Sequence, residues 1–234
     1  MFHYQPIADA RTGAVVGLEA LARWQHPERG LLRAADFIEL AEAHEPTMWD
    51  LTMHGLDRAL AEVAGLRQQG NQLPVAVNVS PAILHRDELV DEVSRAMARH
   101  SRPAGSLSVE VTEWAHAADA EPVVRTLSRL AELGVPAALD DFGSGYSSLA
   151  ELGSLPIETL KLDLAPFARW TAENSKLAIH GIAEVAHALG LAVVAERVAE
   201  AEQWTLVANA GCDLVQGDRI SPPLPRDEIV AWLD

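Results

Sequence analysis

Glu19, Asn78, Glu110, Asp140, Asp141, Lys161, Glu196 and Gln216 are spread along most of the chain. Yet each stands at or beside the end of a short apolar run. Four of these runs end on carboxylates, one of them on an adjacent pair. Asn78 adds a neutral amide oxygen. Carboxylates gathered out of water cannot all stay ionised without cations. Oxygen donors favour Mg2+ or Mn2+ over zinc, and no His or Cys stands at these run ends. The adjacent Asp140 and Asp141 can serve two ions about 3.5–4 Å apart, the spacing used for in-line phosphoryl displacement.

Each residue alone has an ordinary role. A carboxylate at a strand end commonly caps a helix or closes a turn. Asn78-Val79-Ser80 can start a helix, Asp141-Phe142-Gly143-Ser144-Gly145 can be a glycine turn, and Lys161 can be a surface side chain. Turn chemistry does not account for polar residues closing strand after strand, and that recurrence marks a site. The nine histidines are scattered, with no HxxxH pair beside a carboxylate motif. The six tryptophans read as packing residues, except that Trp24 follows Arg23 near the set. Cys212 suits a core position.

The elements that must position this set alternate. Strands are expected at Tyr4 to Ile7, Val15 to Leu21, Val75 to Val79, Leu107 to Val111, Ala137 to Asp140, Thr159 to Leu162, Ala192 to Ala195 and Leu214 to Val215. Helical periodicity runs over Asp50 to Gln69, Asp87 to Ala98, Glu121 to Leu133 and Lys176 to Leu189, the last closed by Gly190. Strand, helix and strand in repetition predict an α/β fold with a mostly parallel sheet. Eight such strands predict a closed (β/α)8 TIM-type barrel, whose strand C-termini converge on one mouth. Only Ala8 to Ala14 joins the first two strands. That is a hairpin length, so the barrel is a modified one with one antiparallel strand.

Composition narrows the function. The chain has 234 residues, 49% apolar and 22% charged, the balance of a globular domain. Its net charge of −16 and its lack of a Lys/Arg cluster argue against polymeric nucleic acid as a ligand. A small phosphate ligand stays open if bound cations reverse the sign locally. No apolar run approaches the roughly 20 residues of a membrane span, and no signal peptide is visible. A single cysteine cannot make an internal disulfide, and a cytoplasmic location is the simplest reading.

The motifs resemble the EAL family of cyclic di-GMP phosphodiesterases. They run in order through Tyr4-Gln5-Pro6-Ile7, Glu19-Ala20-Leu21-Ala22-Arg23-Trp24-Gln25-His26-Pro27, Asn78-Val79-Ser80 and Glu110-Val111-Thr112-Glu113. Asp140 to Leu149, Leu160-Lys161-Leu162-Asp163, Ala195-Glu196 and Gln216-Gly217 complete them. The resemblance implies one EAL domain over residues 1–234, cut from a larger protein with an upstream sensory or diguanylate cyclase domain. It implies hydrolysis of cyclic di-GMP to linear pGpG. Glu19, Asn78, Glu110, Asp140, Asp141 and Glu196 would hold two Mg2+ or Mn2+ ions and the attacking water. Glu19, Glu196 and Lys161 would carry the catalysis, with Lys161 orienting or helping to deprotonate the water. Gln5, Leu21, Arg23 and Gln216 would contact the substrate, Arg23 through a phosphate. Glu113 would support the loop that carries Asp141. A homodimer is implied through Ser147 to Gly153.

The chain departs from the family pattern near the site. Arg197, Val198 and Ala199 stand where Gly, Val and Glu are usual. Asp218 replaces an aromatic residue and Pro222 a basic one. Arg197 is expected to pair with Glu196 and compete with metal for it. Such changes around intact ligands commonly cost ~10–100-fold in metal affinity or activity. The alternative implied is a weakly active or inactive domain that serves as a cyclic di-GMP receptor.

Overall fold

The computed structural model describes residues 1–68, 73–112, 120–143 and 152–233. The barrel is built from β1 (Phe2–Asp9), β2 (Val15–His26), β4 (Val75–Asn78), β5 (Leu107–Thr112), β6 (Ala137–Phe142), β7 (Thr159–Asp163), β8 (Ala192–Glu196) and β9 (Leu214–Gln216). Neighbours from β2 through β9 pair in parallel in that order. β1 closes the ring, antiparallel to both β2 and β9. The expected antiparallel strand is thus the first, because the five residues between β1 and β2 cannot hold a crossover helix.

Valine and leucine dominate the strands, as burial on both faces demands. Leu18, Val75, Leu107, Val109, Leu160, Val193 and Val215 are fully buried. The described helices are α1 (Ile38–Glu42), α2 (Glu45–Gln68), α3 (Pro81–Leu84), α4 (Glu88–Arg99), α5 (Ala120–Glu132), α6 (Ala172–Ala188), α7 (Ala201–Ala210) and α8 (Arg226–Leu233). They lay apolar stripes on the barrel at helical spacing, such as Leu56, Leu60 and Val63 on α2 and Leu89, Val93 and Met97 on α4. No described helix is long and apolar enough to cross a membrane.

Several boundaries differ from the sequence expectation. β2 does not stop at Leu21. It continues to His26, where it pairs antiparallel with β3 (Gly30–Arg33) and raises a two-stranded ribbon above the barrel rim. Glu19 is therefore a mid-strand residue and not a strand end. A short β10 (Leu224–Pro225) lies against the other side of β1. α2 begins before Asp50, with Pro46 in its first turn, where a missing N–H costs nothing. α6 begins at Ala172 because the Thr171 side chain caps it, accepting from the Asn174 N–H at 3.2 Å.

Candidate active site

Lys161 organises the barrel mouth. β7 delivers it inward, and its side chain is 1% exposed. Its Nζ lies 2.7 Å from Glu110 Oε2, 2.9 Å from Glu196 Oε1, 3.0 Å from Asp140 Oδ1 and 3.4 Å from Glu19 Oε2. The Asp140 contact is an ion pair without hydrogen-bond geometry. One ammonium thus faces four carboxylates from four strands. Burial works against its charge, but Glu110, Glu19, Glu196 and Asp140 outweigh burial and hold Lys161 well above the ordinary lysine value.

The carboxylates respond unequally. Burial and the neighbouring Glu19 charge push Glu110 well up. Burial pushes Glu196 up to about 8, against the opposing pull of Lys161. Burial would also raise Glu19. There the Lys161 ammonium and the amide groups of Gln216 and Asn78 prevail and hold it below the usual value. Asn78 Nδ2 donates to Glu19 Oε1 at 2.7 Å, and Gln216 Nε2 donates to Glu19 Oε2 at 2.5 Å. Gln216 Nε2 also reaches Gln5 Oε1 at 3.2 Å, and Gln5 Nε2 donates to the Ser221 carbonyl at 3.1 Å. The first strand runs backwards, and that is why the early Gln5 sits at the same mouth as Gln216.

Asp140 and Asp141 face one site only because the strand is irregular. Successive residues of a strand point to opposite faces. Between Leu139 and Phe142 the register with β7 slips, and Asp141 takes φ +55°. A bulge of this kind re-aims a side chain, and aspartate tolerates the left-handed region better than most residues. Burial, then the adjacent Asp140 charge, raise the Asp141 carboxyl above its usual value.

The donor set fits divalent cations. Glu19, Glu110 and Asp140 each offer an oxygen within 4.8 Å of the others, and so do Asp140, Asp141 and Glu196. Asp140 belongs to both groups, as a ligand shared by two ions would. Asp140 Oδ1 and Gln216 Oε1 are buried without a hydrogen-bond partner. Hard oxygen ligands of this kind suit Mg2+ or Mn2+.

Above this floor opens a cleft of about 830 Å3. Gln5, Glu19, Leu21, Arg23, Asp140, Asp141, Glu196 and Gln216 line it, so the structure brings these expected site residues together. Glu110 and Lys161 lie deeper, at the top of a narrower cavity inside the barrel. Asn78 joins the set through Glu19. Glu113 and most of Ser147 to Gly153 lie outside the described residues.

Arg197 does not pair with Glu196 as expected. It takes φ +59° directly after β8, a conformation that glycine adopts without cost. That backbone turn carries its guanidinium sideways. Nε meets Asp163 Oδ1 at 3.1 Å and Nη2 meets Asp141 Oδ1 at 3.4 Å. Asp163 is a site residue that the sequence reading left without a role. It is buried at the end of β7, level with Glu196 in the neighbouring strand. The signal was its place in the Lys161-Leu162-Asp163 strand end. Arg33 is a second omission. It lines the cleft from β3 and was hidden because β3 itself was not foreseen.

The EAL domain profile matches residues 1–223. The chain belongs to the EAL domain family. It is 42% identical over 233 residues to the cyclic di-GMP phosphodiesterase NbdA of Pseudomonas aeruginosa, which covers 99% of this chain and 30% of NbdA. It is 34% identical over 233 residues to MucR of the same organism, a bifunctional diguanylate cyclase/cyclic di-GMP phosphodiesterase, covering 99% of this chain and 34% of MucR. The solved c-di-GMP complex of the PaMucR phosphodiesterase superposes with a TM-score of 0.89 at 33% identity, over 98% of this chain and 93% of that one. This EAL domain thus spans about a third of the length of its curated relatives.

Proposed function

We propose that this EAL domain hydrolyses cyclic di-GMP to linear pGpG with the help of two Mg2+ or Mn2+ ions. The observation that carries the reading is the oxygen-only cluster of Glu19, Glu110, Asp140, Asp141 and Glu196, with Asp140 common to both candidate triads. Asn78 would add its amide oxygen, since its nitrogen is committed to Glu19. Bound there, the cations would supply Lewis acidity and lower the pKa of an attacking water. Lys161 is buried at the centre of the carboxylate set. Facing four carboxylates, it would orient the water and offset charge. Glu196, grouped with Asp140 and Asp141, would hold an ion and help to position that water. Gln5, Leu21, Arg23 and Gln216 would hold the substrate in the cleft, whose volume suits a small-molecule ligand.

The wider setting is also a proposal. The domain would be one part of a longer cytoplasmic protein, with a sensory or diguanylate cyclase unit upstream, as its share of NbdA and MucR suggests. A homodimer would place two such sites in one assembly, and sedimentation showing only monomer at high concentration would remove that part. The main test is direct. Purified domain is incubated with cyclic di-GMP and Mn2+, and pGpG is followed by chromatography. Turnover that chelation stops and Glu196→Gln abolishes supports the reading. Tight binding without product would mark a receptor instead, and neither binding nor product would refute both.

A further inference from the structure

Arg23 and Arg33 face each other across the β2–β3 ribbon as direct partners in the ladder. Cross-strand partners share a face, and both side chains line the cleft. Glu19, Leu21 and Arg23 alternate along β2, so all three point the same way. Four residues of strand carry the arginines about 13 Å beyond Glu19, onto the outer wall of the cleft and away from the carboxylate floor.

Two like charges set directly opposite in a ladder destabilise it. Among the described residues only Glu19, earlier in β2, draws on the Arg23 charge. Among the described residues, neither guanidinium has a carboxylate within ion-pair distance, in a chain with 34 acidic and 18 basic residues. Arg23 spends one N–H on the Ala22 carbonyl at 2.9 Å. Burial, and after it the Arg33 charge, hold Arg23 below its ordinary value. The Arg33 backbone is fixed as well, since its N–H donates to Asp36 Oδ2 at 2.9 Å. Two cations kept together without an ion-pair partner among the described residues, one half-buried and one exposed, offer a site for an anion.

Cyclic di-GMP carries two phosphodiesters. The one being cleaved must lie over the carboxylate floor, where bound cations would meet it. The other needs a different source of positive charge. We propose that Arg33 acts with Arg23 as a clamp for the phosphodiester that is not cleaved. This rests on the phosphodiesterase reading above. Guanidinium forks match phosphate oxygens geometrically, and two of them on one wall fix the ring's orientation as well as its charge.

The test uses Arg33→Gln, which keeps the stem and removes the charge. With cyclic di-GMP and Mn2+, KM should rise about fivefold to tenfold, with a smaller change in kcat. The loss should be smaller for bis(p-nitrophenyl) phosphate, which has a single phosphodiester. Urea midpoints should hold or rise, because a like-charge pair is relieved. An unchanged KM on cyclic di-GMP overturns the proposal while leaving the phosphodiesterase reading intact. A raised KM with a lowered midpoint also overturns it, since that marks a structural arginine. If wild-type protein neither binds nor cleaves cyclic di-GMP, the functional reading fails and the clamp fails with it.

Discussion

Replacing Arg197 with glycine should tighten metal binding by about fourfold at 0.1 M salt. Its Nη2 lies 3.4 Å from Asp141 Oδ1, and Asp141 is one of the carboxylates of the second triad. With a metal–oxygen distance of about 2.1 Å, the guanidinium would sit about 5.5 Å from a divalent ion. The Arg197 side chain is 61% exposed, so the solvent dielectric applies. One charge against two at that distance repels by about 1.5 kcal/mol, which is roughly tenfold in affinity. At 0.1 M salt, with a Debye length of about 10 Å, screening cuts this to about 0.9 kcal/mol, roughly fourfold. Stability should shift by less than about 1 kcal/mol, since two effects oppose each other. Glycine relieves the left-handed backbone at φ +59°, while the Asp163 pair is lost. Asp163 keeps its bond from the Ala165 N–H at 2.8 Å. Mn2+ affinity measured by calorimetry on both proteins, with half-saturating Mn2+ for turnover as a second reading, decides the matter. Equal or weaker Mn2+ binding by Arg197→Gly would refute the reasoning and make Arg197 an adapted part of the site.

Lys161→Met leaves four buried carboxylates without their ammonium, and should cost about 3–5 kcal/mol in urea unfolding without metal. Added Mn2+ should recover part of that loss, and an unchanged midpoint would show that the cluster is not held by Lys161. Gly217→Ala should destabilise by at least about 3 kcal/mol, because a Cβ there would stand 2.3 Å from the Val198 carbonyl oxygen at φ +151°. Gly30→Ala is the control, at φ +73° with open space around it, and should cost only about 1–2 kcal/mol by the same denaturation curves. Burial, then Asp213, push the Cys212 thiol up to about 12, so the folded protein keeps a proton that the unfolded chain loses near pH 8.5. Stability should then be unaffected by this group below about pH 8.5 and decline above it, less steeply in Cys212→Ala, and alkylation at pH 8 should need prior unfolding.

The sequence exposed the barrel because its strands are buried on both faces and read as apolar, β-branched runs. It exposed the site because polar residues interrupt those runs where packing does not ask for them. It did not expose what depends on register. The extension of β2 to His26 pairs with a strand of only four residues, Gly30–Arg33, too short and too mixed to stand out. The bulge that turns Asp141 toward Asp140 is a property of the ladder with β7 and not of the dipeptide. Arg197 reads as a neighbour of Glu196, yet a positive φ sends it to Asp141 and Asp163. α7 is a different case, since its signals were present. Gln203 Oε1 accepts from the Ala199 and Glu200 N–H groups, and Gly211 closes the helix at φ +101°.

The floor of the cleft is a poor solution for stability alone. Four carboxylates share one ammonium in the barrel interior, and burial, then like-charged neighbours, push two of them, Glu110 and Glu196, upward. Apolar residues of like volume would commonly fold as well or better. The bulge at Asp141 and the left-handed Arg197 add backbone strain at the same mouth, and the facing arginines of the β2–β3 ribbon add repulsion above it. These costs have one geometry in common. Each places a charge or a ligand oxygen toward the cleft, and the signs are ordered from acidic floor to basic wall. Divalent cations on the floor and a phosphate-bearing ligand between floor and wall would neutralise both at once. The strain is therefore concentrated where a charged ligand can offset it, while the strands beneath carry the apolar burial that keeps the barrel closed.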